Sequence, residues 1–207
     1  MLIVGLTGGI ASGKSVVARA WMHQPGVLVI DADQVVHSLY RPGTPIYHRL
    51  VEAFGEGIID SQGQLDRRAL SRLVFGDERA RRRLNAIVHP AVRERLRELA
   101  ERARAKGTEI LVIEAALLLE SDPVERSFYD CYVLVTVDAP SQLERLMARD
   151  RLSREQALAR IESQSSQAEK IGRADYLIST SGRVEDTAKR AKELLAKLRA
   201  RGSEFAF

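Results

Sequence analysis

Residues 8–15, Gly-Gly-Ile-Ala-Ser-Gly-Lys-Ser, fit the pattern Gly-x-x-x-x-Gly-Lys-Ser, and no other stretch restricts the folding of this chain as strongly. The apolar run at 2–6 predicts a strand leading into it, and residues 14–23 predict a helix leading out. Glycines let the backbone turn so that successive N–H groups point at phosphate oxygens, with the N-terminal dipole of the following helix behind them. Lys14 then bridges the terminal phosphates of a nucleotide, and the Ser15 hydroxyl ligates Mg²⁺. The expected phosphate cradle comprises Gly8, Gly9, Ala11, Ser12, Gly13, Lys14, Ser15 and Val16.

Further runs rich in Val, Ile and Leu lie at 110–113 and 132–137, with weaker ones at 27–30 and 176–178. None alternates, as expected for strands of a parallel sheet covered on both faces. Helical patterns fall between them, notably at 90–105, 140–149 and 184–200, so the fold class is α/β with a five-stranded parallel sheet of the P-loop type. About eighty residues separate the second strand from the third, far more than one crossover helix needs. That interval reads as helices at 44–54, 66–75, 78–88 and 90–105, with Asp66 as an N-cap and Pro90 opening the last. A polar, Arg-bearing segment follows the fourth strand, where Ser153-Arg154-Glu155-Gln156 makes a capping box. The tail at 202–207 follows no periodic pattern.

Composition narrows the partners. The chain has 207 residues, 45% of them apolar, and no apolar run near the roughly 20 residues that span a bilayer. Met1 leads straight into the first strand without a basic leader, and Cys131 is the single cysteine, inside an apolar run. Both features point to the cytoplasm and to a buried, inert thiol. The net charge is +4, with the basic excess gathered between 66 and 106. Anionic partners fit such a patch, but the arginines have no aromatics interleaved for stacking on single strands, so solvated helix faces explain most of them. Neither nucleic acid nor a membrane is expected as a partner.

The cradle alone does not separate hydrolysis from phosphoryl transfer. A guanine reader of the Asn-Lys-x-Asp type is missing, since Asn85 is the only asparagine and Ala86 follows it. Asp60-Ser61-Gln62-Gly63 mimics a switch motif but reads as a turn. A small kinase remains. Asp31-Ala32-Asp33 ends the second strand, on the sheet edge where open α/β folds bind ligands. A carboxylate there can take or orient the proton of an acceptor hydroxyl. Either aspartate could instead cap the helix that follows.

These residues resemble the dephospho-coenzyme A kinase family. The opening from Ile3 to Ser15 is similar to the family's start, and Asp31-Ala32-Asp33 with His37 resembles its acidic motif. Gly63-Gln64-Leu65-Asp66-Arg67 and Ile87-Val88-His89-Pro90 with Arg93 match its substrate region. Gln142-Leu143-Glu144-Arg145-Leu146, Arg149, Arg160-Ile161, Gln164 and Ala174-Asp175 match its C-terminal half. The resemblance implies one kinase domain in three parts: a nucleotide core (1–59, 107–147 and 172–200), a helical substrate-binding insertion (60–106) and a lid (148–171). It also implies transfer of the ATP γ-phosphoryl to the ribose 3′-hydroxyl of dephospho-coenzyme A, with Mg²⁺. Asp33, Lys14, Arg145 and Arg149 take the catalytic roles, with Asp33 as base. Asp33, His89, Arg93, Leu117 and Leu118 face the acceptor. The protein is expected to be a monomer or a weak homo-oligomer.

Three departures from the family pattern stand out. Ala11 replaces a usual glycine. Glu114-Ala115-Ala116-Leu117-Leu118-Leu119-Glu120 replaces an Asp followed by Pro-Leu-Leu-Phe-Glu. Ser179-Thr180-Ser181-Gly182 lacks the usual Asn before Gly. The rival readings are a nucleoside or nucleoside-monophosphate kinase and, outside enzymes, a nucleotide-sensing or RNA-binding module.

Overall fold

The computed structural model describes residues 1–116, 118–120 and 127–204. Its elements run β1 (Leu2–Gly8), α1 (Lys14–Met22), β2 (Val27–Asp31), α2 (Ala32–Leu39), α3 (Pro45–Phe54), α4 (Arg67–Val74) and α5 (Glu78–Ala105). They continue with β3 (Ile110–Glu114), β4 (Cys131–Thr136), α6 (Ala139–Asp150), α7 (Arg154–Glu162), α8 (Gln167–Ile171), β5 (Tyr176–Ser179) and α9 (Val184–Glu204). The five strands form one sheet in the order β2-β3-β1-β4-β5, with every pair parallel. The expected α/β class and strand count hold.

The chain divides into two compact units, the first from Met1–Asp31 and Ala103 onward, the second Ala32–Arg102. In the first, every residue of β1 is buried, which explains why that strand reads as a continuous apolar run. One sheet face packs Leu2, Val4, Leu6, Val112 and Val133 against Val17 and Trp21 of α1 and Ala191, Leu195 and Leu198 of α9. The Trp21 indole N–H donates to the Ala191 carbonyl at 2.7 Å, which gives its buried polar atom a partner. Cys131 belongs to this core, and burial pushes its thiol up to about 11, as an inert cysteine requires. Tyr132 and Leu134 pack with Leu119 in a separate cluster, their side chains alternating with those of Cys131 and Val133 along β4.

The second unit has its own core, in which Ile46 and Leu50 of α3, Leu70 of α4 and Ile87 and Val88 of α5 meet Ile58. Val36 and Leu39 of α2 also pack there, so α2 shares a core with the helices expected in the long interval. Asp66 caps α4 as expected, accepting from the N–H groups of Arg68 at 2.8 Å and Ala69 at 3.1 Å. Asp60 accepts from Gln62 and Gln64 N–H, both at 2.9 Å, so the switch-like segment is a turn.

Two expectations are corrected. The helices expected at 78–88 and 90–105 are one helix, α5, with Pro90 inside it. Proline removes one backbone bond, but Leu84, Ile87 and Val88 before it and Ala91 and Val92 after it all join the same core. Packing on both sides therefore carries the helix across the proline. The tail expected to be irregular from 202 is helical as far as Glu204. A Cβ at Gly202 would stand 3.9 Å from the Cβ of Leu2, so α9 continues along the start of β1.

Candidate active site

The site is built on the C-terminal edge of the sheet. β1 ends at Gly8, the loop turns through 9–13, and α1 begins at Lys14. The turn is closed by Ser12 N–H donating to the Gly9 carbonyl at 3.1 Å and Val16 N–H to the Gly13 carbonyl at 2.9 Å. Gly13 sits at φ 87 with the Thr180 side chain 3.2 Å from where a Cβ would stand, so conformation and space both demand glycine there. Ala11 also lies in the left-handed region, at φ 57. That region favours glycine, and the methyl group costs about 1–2 kcal/mol there. Lys14 curls back over the loop, its ammonium donating to the Gly8 carbonyl at 3.0 Å. Ser15 is exposed in the first turn of α1, while Ser12 is buried and its hydroxyl has no hydrogen-bond partner among the described residues.

Strand register brings carboxylates to the same edge. Glu114, ending β3, pairs with Leu6 of β1 on one side and with Asp31 of β2 on the other. Asp33 is exposed in the first turn of α2, past the cap position that it might have occupied. In the second unit His89 and Arg93 lie four residues apart on α5 and so share a helix face, His89 exposed and Arg93 half-buried. His89 is therefore helical, not an extended residue at a helix start. Leu118 lies in a 3-10 turn and packs against Leu119, Tyr132 and Leu134. Leu117 lies outside the described residues.

Arg145 and Arg149 both project from α6. The Arg145 guanidinium donates to the Thr180 hydroxyl at 2.9 Å and to its carbonyl at 2.8 Å. The Thr180 hydroxyl in turn donates to the Ser12 carbonyl at 2.7 Å, which places Arg145 one residue removed from the loop backbone. Thr180 is thus a site residue that sequence reading missed, noticed only as a departure from Asn-Gly. Arg149 is exposed and holds Asp150 at 2.8 Å, and Arg160 of α7 reaches the same carboxylate at 2.8 Å. The Arg149 hydrogen bond, followed by the nearby Arg160 charge, holds the Asp150 carboxyl below its usual range. Gln142 and Gln164, matched above without a role, bond to the backbone carbonyl and N–H of Ile10 respectively.

Such a cradle, with an ammonium, an exposed hydroxyl and carboxylates along one sheet edge, can bind a nucleotide triphosphate and orient a transfer. The sequence profile of the family described as Dephospho-CoA kinase matches residues 2–186. The chain belongs to the dephospho-CoA kinase family. The family's curated relatives include a dephospho-CoA kinase of Symbiobacterium thermophilum, 48% identical over 90% of this chain and 77% of its own. One from Geobacter sulfurreducens is 43% identical over 95% of this chain and 98% of its own. Among solved structures, a Thermus thermophilus protein is similar with a TM-score of 0.79 and 36% identity over 95% of this chain and 97% of its own. A shikimate kinase of Acinetobacter baumannii shares the fold at a TM-score of 0.56 and 16% identity, covering 97% of this chain and 94% of its own.

Proposed function

We infer that this chain transfers the γ-phosphoryl group of ATP to the ribose 3′-hydroxyl of dephospho-coenzyme A, giving coenzyme A and ADP, the last step in making coenzyme A. The observation that carries the reading is the family match across residues 2–186, with the complete cradle at 8–15 at its start. Backbone N–H groups of the loop and the Lys14 ammonium hold the phosphates. Mg²⁺ fits the residues present: the Ser15 hydroxyl is exposed at the start of α1, and Asp31 and Glu114 offer hard oxygens on the adjoining strand ends. With ATP bound, Ser15, Asp31 and Glu114 would hold the ion, which would supply positive charge to offset that of the transferring phosphate.

Asp33 is the base, two residues beyond the end of β2 with its carboxylate exposed. Arg145, anchored on Thr180, keeps its charge beside the loop, and Arg149 exchanges Asp150 for phosphate as charge develops. His89, Arg93, Leu117 and Leu118 bind the acceptor. The protein works in the cytoplasm as a monomer or weak homo-oligomer, without nucleic acid or membrane. No helix among the described residues is long and apolar enough to cross a bilayer. ADP release measured with dephospho-coenzyme A, uridine, CMP and AMP as acceptors tests the reading. Stimulation by dephospho-coenzyme A alone is expected, and turnover on a nucleoside or nucleotide without it would overturn the reading.

A further inference from the structure

The backbone of Ile10 is gripped on both sides of its Cα by side-chain amides. Its N–H donates to Gln164 Oε1 at 2.9 Å, and its carbonyl accepts from Gln142 Nε2 at 2.8 Å. A peptide N–H needs an acceptor and a carbonyl needs a donor, which fixes the orientation of both glutamine amides. The two amides lie over Gly9, where a Cβ would stand 3.2 Å from Gln142 Nε2 and 3.5 Å from Gln164 Oε1. Both groups are uncharged, which suits a place beside a triphosphate: a carboxylate would repel the phosphates and an ammonium would compete for them.

The two glutamines come from different elements. Gln142 lies on α6, and Arg145 and Arg149 follow it at i+3 and i+7 along one helix stripe. Fixing Gln142 on the Ile10 carbonyl therefore fixes where both arginines stand. Gln164 lies in the turn between α7 and α8, which is held by the Ser166 cap of α8 and by Gln167 accepting from Val137 N–H at 3.3 Å. Arg160 on α7 shares Asp150 with Arg149. The phosphate loop, the arginine stripe and the α7–α8 turn are thus joined at a single residue, Ile10.

We propose that Gln142 and Gln164 are positioning residues for the transfer, clamping the backbone of Ile10 on both sides of its Cα so that the loop and the arginine-bearing helices keep one register. The inference rests on the kinase reading. A structural filler would affect folding alone; a clamp affects the chemical step. Single Gln142→Leu and Gln164→Leu variants and the double variant are assayed with ATP and dephospho-coenzyme A, together with thermal unfolding. Each single is expected to lower kcat about five- to tenfold, the worth of one net hydrogen bond. KM for dephospho-coenzyme A stays near wild type, and the double falls no more than about twofold below the worse single, because both grips hold the same residue of the loop. Gln164→Glu, which keeps the acceptor oxygen, should retain more activity than Gln142→Glu, which turns a carboxylate toward a carbonyl. Wild-type kcat in the leucine variants, equal loss in the two glutamate variants, or losses that track the unfolding temperature would overturn the clamp. An inactive wild-type protein would instead overturn the kinase reading.

Discussion

At Ala11, a single methyl group sits where the backbone turns through φ 57. Glycine enters that region freely but has more freedom to lose on folding, so the two effects oppose each other. The left-handed penalty is the larger, and Ala11→Gly is expected to stabilise the protein by up to about 1 kcal/mol. Urea unfolding checks this; a destabilised variant would mean that the loop relaxes around the alanine. Asp33 carries the other residue-scale prediction. Asp33→Asn removes the proton acceptor while keeping shape and hydrogen-bonding reach, so turnover should fall by about 10²–10⁴-fold with ATP affinity little changed. Near-wild-type turnover would leave Asp33 a residue of the first turn of α2 and nothing more. In the sequence Ala11 stood out as a departure from glycine, and Asp33 as a candidate from its place after an apolar run. The left-handed turn behind the first became visible only with the backbone.

Among the elements, α6 is started by Asp138, whose carboxylate accepts from Ser141 N–H at 2.8 Å. That backbone bond, followed by the hydroxyls of Ser181 and Ser141, holds the Asp138 carboxyl down to about 2. A carboxyl depressed on folding contributes stability above its unfolded value, and the contribution is lost as pH falls through the folded one. From the ordinary value of 3.8 the window runs from about pH 4 down to about 2. Asp138→Asn keeps the capping oxygen without the titration. Its unfolding temperature should therefore fall less steeply than wild type across that window, and parallel curves would refute the assignment. Elements of this kind were readable where local chemistry decides, as at the Asp66 cap and the Ser153 capping box. The second capping box, at Ser166 and Glu169, has the same signature and was passed over in a polar stretch. Continuity of α5 through Pro90 was not readable, because the core that residues on both sides of the proline join also draws on α2 and α3, earlier in the chain.

For the whole molecule, the apolar runs and the cradle were enough to fix the parallel sheet and its class. What they left out is long-range: the backbone of Ile10 finds its partners at 142 and 164, and Ser12 finds Thr180, across more than 130 residues of chain. No local pattern encodes such closures; they depend on strand order and on where α6 and the α7–α8 turn begin. The extent of the helical unit was likewise set by a shared core, with Val36 and Leu39 joining Ile87 and Val88. The phosphate loop belongs to this scale too, since Gln142, Gln164, Arg145 and Thr180 reach it from separate elements. Phosphorus NMR of the products formed from ATP and dephospho-coenzyme A, with wild type and Lys14→Ala in parallel, tests the proposed transfer most directly. The account predicts one new 3′-phosphomonoester signal per ADP released by wild type, and no such signal from a folded Lys14→Ala protein. ADP released with only inorganic phosphate as its counterpart, or a phosphoryl group on any other position, would contradict it.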